Sequence, residues 1–121
     1  MKLRIVALAT TLLIAPAAAH EAAKGPNGGR VVEGGTHHVE LVVRENVVSV
    51  FVMDANDKPI SVTGFKGVVI FTISSKAQRI VLDSKDGTRL FGTSPLTLPA
   101  DPAGVIQLTA PNGTTIQGRF R

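Results

Sequence analysis

Three histidines, at positions 20, 37 and 38, are the only imidazoles in a chain of 121 residues, and no cysteine accompanies them. Imidazole nitrogen suits Cu(II), Ni(II) and Zn(II), with copper favoured by intrinsic affinity order. A histidine that begins a chain gains a second donor, because its free α-amine closes a chelate ring with its own imidazole on one ion. That amine titrates near ~7.7–8.0, so stripping its proton at neutral pH costs only about 1 kcal/mol. These residue types point to capture of one ion by His20 and the His37/His38 pair, with Glu40 or Met53 as a weaker further donor. The expected ion is Cu(II), with Zn(II), Ni(II) or Co(II) as alternatives.

Each of these side chains also has a quieter role open to it. A histidine near a terminus is often solvated and idle. His38, beside Glu40 on a polar strand face, suits a surface ion pair worth about 0–1 kcal/mol. His37, at the end of an apolar face, suits a hydrogen bond to a backbone carbonyl.

His20 begins the working chain only if a leader is removed. Lys2 and Arg4 form a short cationic start, residues 5–15 are almost wholly apolar, and Ala17-Ala18-Ala19 supplies the small residues a signal peptidase accepts. That is the layout of a cleavable signal peptide. Its apolar run is too short for the roughly 20 residues a membrane-spanning helix needs. Cleavage after Ala19 yields an exported, periplasmic protein that starts at His20 and has no membrane insertion.

The leader also carries part of the charge. Of 13 lysines and arginines two lie within it, which leaves 11 against 9 acidic residues and a net charge of only +2. The remaining cations are scattered singly, whereas nucleic-acid binding needs a basic face. No nucleic-acid partner is expected. Catalysis is not expected either: no cysteine or tyrosine is present, and no histidine follows residue 38 to serve as a base for Ser74, Ser75, Ser84 or Ser94. The Asp54/Asp57 and Asp83/Asp86 pairs sit in turn contexts, where carboxylates commonly accept backbone hydrogen bonds.

The elements that must position these residues read as strands. After Gly29, apolar residues recur at every second position, and Gly, Pro, Asn and Asp punctuate the chain at intervals of about ten residues, a pattern of all-β folds. The expected strands cover residues 30–33, 36–44, 47–54, 66–75, 78–83, 88–93, 104–110 and 115–121. They predict a single antiparallel β-sandwich, immunoglobulin-like or related, of about eight short strands. The chain divides into a signal peptide (1–19), a turn-rich segment (20–35) and the sandwich domain (36–121). Asp86-Gly87 and Asn112-Gly113 supply residues that tolerate positive φ where tight turns need them.

In the strand over residues 36–44, His37, Val39, Leu41 and Val43 share the core face, and His38, Glu40 and Val42 share the other. A three-residue loop at Arg44-Glu45-Asn46 places His37 opposite Met53; a loop shorter by one residue places it opposite Asp54. A one-residue slip exchanges every face, so the turn decides.

The stretches "GPNGGRVVEGGTHHVELVV", "VFVMDANDKPISVTGFKG" and "GTRLFGTSPLTLPA" resemble a group of small exported bacterial proteins found alongside heavy-metal efflux systems. They are also similar to the N-terminal β-rich segment of periplasmic adaptor subunits of metal-exporting pumps. The resemblance implies a periplasmic β-sandwich linked to metal handling. The chain departs from that group in having a single His20 before the turn, where histidine-rich leaders are common, which argues against high-capacity buffering. The expected function is therefore a non-catalytic metal-binding accessory that hands its ion to an efflux adaptor or another periplasmic protein. The alternative is a metal-independent interaction module that docks through an exposed strand edge, for which "VVSVFVMD" and "GVVIFTIS" are the candidates.

Overall fold

The computed structural model describes residues 23–121, so the expected leader and His20 lie outside the described residues. Among the described residues nine strands form: β1 (Ala23–Lys24), β2 (Arg30–Gly34), β3 (His37–Arg44), β4 (Val47–Met53), β5 (Lys66–Ile73), β6 (Lys76–Ser84), β7 (Leu90–Thr93), β8 (Ala103–Thr109) and β9 (Thr115–Phe120). All pair antiparallel in one sheet, in the order β1-β2-β3-β4-β7-β6-β5-β8-β9.

Period-two alternation decides what each strand buries. Val39 and Leu41 of β3, Val48, Val50 and Val52 of β4, and Val69 and Phe71 of β5 all point inward and are buried. Ile80 and Leu82, Leu90, Ile106 and Leu108, and Ile116 and Phe120 continue the same core around the sheet. Val62, Phe65 and Leu98 close it from the loops. Each fully buried Val, Leu or Phe contributes about 1.5–3 kcal/mol, and these side chains supply most of what holds a chain without disulfides together.

The expected sandwich is corrected here. The fold is all-β and antiparallel, but its strands remain in one curled sheet among the described residues, with no second sheet facing it. Curling brings β9 round against β2 without a hydrogen-bonded ladder between them. Glycine permits this approach. A Cβ on Gly34 would lie 2.7 Å from Ile116 Cγ2, and one on Gly118 would lie 2.9 Å from Val32 Cγ2. Arg30 ties the far end of the same seam. Its guanidinium lies 5.2 Å from the Phe120 ring centroid, donates to the Pro102 carbonyl at 2.6 Å and pairs with Asp101 at 3.6 Å. Burial lowers its pKa, with the Asp101 charge acting in the opposite direction.

The strand edges are corrected too. "VVSVFVMD" is β4, held between β3 and β7, and "GVVIFTIS" is β5, held between β6 and β8. Both have paired neighbours on each side and offer no edge for an added strand. The eight expected strands all occur with shifted ends, and the ninth, Ala23–Lys24, was not among them.

Candidate metal-binding site at one end of the sheet

The β3–β4 turn has two residues, Glu45 and Asn46, with Arg44 paired to Val47. Of the two registers open from the sequence, this is the shorter loop, and it carries His38 opposite Met53. His37 then lies level with Asp54. Glu33 of β2 is the partner of His38 on its other side. Directly opposed residues share a face with Cβ atoms about 4.5–5.5 Å apart, so Glu33, His38 and Met53 form one outward row across three strands.

The loop after β4 supplies the next group. Asp54 Oδ1 accepts from the backbone N–H of Asn56 at 2.8 Å and of Lys58 at 3.0 Å, which folds the chain back on itself. The Lys58 N–H foremost holds the Asp54 carboxyl below its ordinary pKa, and the Asn56 N–H and the nearby charges of Lys58 and His37 act in the same direction. Asp57 then adopts φ +62°, a left-handed conformation uncommon outside glycine but tolerated by Asp. There its Oδ1 lies 2.5 Å from His38 Nδ1. An ionised carboxylate only accepts, so Nδ1 is the donor of this pair, and in the neutral ring the lone pair is on Nε2. The His38 side chain is about a quarter exposed.

The remaining expected donors fare differently. His37 lies on the opposite face of β3, its Nδ1 3.4 Å from Thr36 Oγ1, so the two adjacent histidines are not brought together. Met53 shares the His38 row but is only 3% exposed. Glu40, expected as a weaker donor, is fully buried under the turn at residues 25–29. Its Oε2 accepts from the backbone N–H of Asn27 at 2.9 Å and of Gly29 at 2.8 Å, and its Oε1 accepts from Asn27 Nδ2 at 2.9 Å. Glu40 holds the turn and has no free side for an ion. His20 lies outside the described residues.

Among the described residues, no three His, Cys, Asp or Glu side chains converge closely enough to hold a metal ion. What the geometry provides is one partly exposed imidazole held at Nδ1 by a carboxylate, and it identifies two neighbours, Asp57 and Glu33, that the spacing of the histidines did not reveal. Both follow from pairing: Asp57 lies just past the residue opposite His37, and Glu33 is fixed opposite His38 by the tight Gly35-Thr36 turn. Compared with protein-family models, curated proteins and solved structures, the chain matches none. None of these comparisons links the chain to metal-efflux segments.

Proposed function

We propose that the protein is a non-catalytic, periplasmic metal-binding accessory of heavy-metal homeostasis, with His38 as its anchoring ligand and Cu(II) as its preferred ion. The observation that supports this reading is the His38–Asp57 pair. A ligating histidine commonly donates its other ring N–H to a carboxylate, which fixes the tautomer and raises the basicity of the free nitrogen. A single imidazole does not hold an ion, so the remaining donors come from the start of the exported chain, the His20 ring and its α-amine. Glu33 faces the same side as a further oxygen donor. His37 and Met53 do not take part, and Glu40 stays with its turn.

Calorimetric titration of the exported product with Cu(II), after mass spectrometry has established its first residue, tests the reading. One tight equivalent is expected, weakened by His38→Ala and by one extra residue before His20. Asp57→Asn weakens it about 10–100-fold, the usual cost of losing an orienting carboxylate. His37→Ala leaves it nearly unchanged. Binding that is indifferent to His38→Ala and Asp57→Asn removes the site.

A further inference from the structure

On the outward face of β3, β4 and β7, away from the His38 end, the alternation of polar residues breaks. Val42, Val47 and Phe51 form an apolar floor there, and all three retain exposure to solvent. They line an open groove of about 510 Å³, within the roughly 300–1,000 Å³ typical of small-molecule sites.

Two guanidiniums border this floor. Arg89 is held in place: its Nη1 donates to Ser49 Oγ at 2.9 Å, and its Cζ lies 5.7 Å from the centroid of the Phe91 ring. Ser49 and Phe91 are cross-strand partners, so the Arg89 side chain lies across two strands. Arg44 borders the same groove from the end of β3. Among the described residues neither arginine has a carboxylate within 4.0 Å. Glu45 sits on the rim. Asp86 is near enough for the Arg89 backbone N–H and charge to help lower its pKa, though Thr88 is the larger cause, donating from its hydroxyl and its N–H.

We propose that this groove binds a soluble amphipathic anion, with its carboxylate or sulfonate head between Arg44 and Arg89 and its aryl or alkyl body on Val42, Val47 and Phe51. The guanidinium fork matches a planar oxyanion. The bond to Ser49 and the contact with Phe91 fix one fork beforehand, which reduces the ordering cost of binding. A neutral apolar ligand would leave both charges unused, and a second copy of this face would set arginine against arginine.

Amide NMR titration of the whole exported protein with anilinonaphthalene sulfonate and, separately, with decanoate tests the proposal. Saturable shifts are expected at Val42, Val47, Ser49, Phe51 and Arg89. Arg44→Gln and Arg89→Gln each weaken binding about tenfold, the loss of one charged hydrogen bond. Arg119→Gln, on β9, has no effect. If Arg44→Gln fails to fold, Arg44→Lys serves, and a several-fold loss is expected because the fork is gone while the charge remains. Equal binding of decanol, shifts centred elsewhere, or binding confined to phosphatidylglycerol vesicles each overturns the proposal.

Discussion

Asn27 and Glu40 are joined at both oxygens of one carboxylate: the Asn27 backbone N–H donates to Oε2 and its side-chain amide donates to Oε1, each at 2.9 Å. With the Gly29 N–H also on Oε2, a fully buried charge is satisfied by three donors from a single turn. Gly25 completes the fit, since a side chain there would collide with the Glu40 carboxyl. The carboxylate therefore fixes the path of the chain entering β2.

Glu40→Ala is expected to cost about 3 kcal/mol or more, because it strands the turn's donors. Glu40→Gln is milder, at about 1 kcal/mol. Its oxygen keeps both backbone donors, and Asn27 turns its amide to meet the new NH₂. Urea unfolding of both variants checks the ranking; equal losses would mean that the charge, not the donor geometry, holds the turn.

The closing seam makes a second prediction. Gly118→Ala pushes a methyl into Val32 Cγ2 and is expected to destabilise by about 1–3 kcal/mol. Gly28→Ala meets no atom within 4 Å, and its cost comes only from the backbone at φ +78°. Thermal melts of the two should differ in amide exchange as well, with β2 and β9 opening faster in Gly118→Ala alone.

The β5–β6 turn places Ser74 and Ser75 at φ +50° and +64°. A two-residue turn with both φ positive prefers Asn-Gly. Replacing Ser74-Ser75 by Asn-Gly is expected to stabilise by about 1 kcal/mol, read as a raised denaturation midpoint without a change of slope. A lowered midpoint would show that the serines make up for their backbone strain.

Asp86 and Asp54 each contribute to the acid limb. Thr88, through its hydroxyl and then its N–H, holds the Asp86 carboxyl below its ordinary pKa, and the Lys58 N–H does so foremost for Asp54. A carboxyl depressed in the folded state contributes stability that is present above the unfolded value of ~3.9 and is lost as pH falls through the folded value. The gap between the protein and its Asp86→Asn variant should therefore shrink from neutral pH to about pH 3, measured by urea midpoint. A gap independent of pH contradicts it.

Much of the sheet was legible because alternation at Val39, Leu41 and Val43, or at Ile106 and Leu108, is read directly from residue order. What alternation does not carry is whether β4 stays bonded to β7, and β5 to β8, across long intervals of chain; those pairings make one sheet where a sandwich was expected. Glu40 occupies a polar-looking position yet is buried, because its cover is a turn formed eleven to thirteen residues earlier. The His38–Asp57 contact spans nineteen residues and depended on a one-residue choice of loop length. The histidines were conspicuous, and alternation along β3 already divides His37 from His38; what it does not carry is the partner each meets, Asp57 for His38 and Thr36 for His37.

In the proposed function, Asp57 holds the His38 ring so that Nε2 meets the ion. Imidazole nitrogen NMR during Zn(II) titration of the chain beginning at His20 checks this arrangement. On binding, His38 Nε2 should shift while Nδ1 keeps its proton and its coupling to Asp57, and His37 should be little changed. An ion bound with the His38 ring unaffected, or through Nδ1 with the Asp57 contact broken, would contradict it.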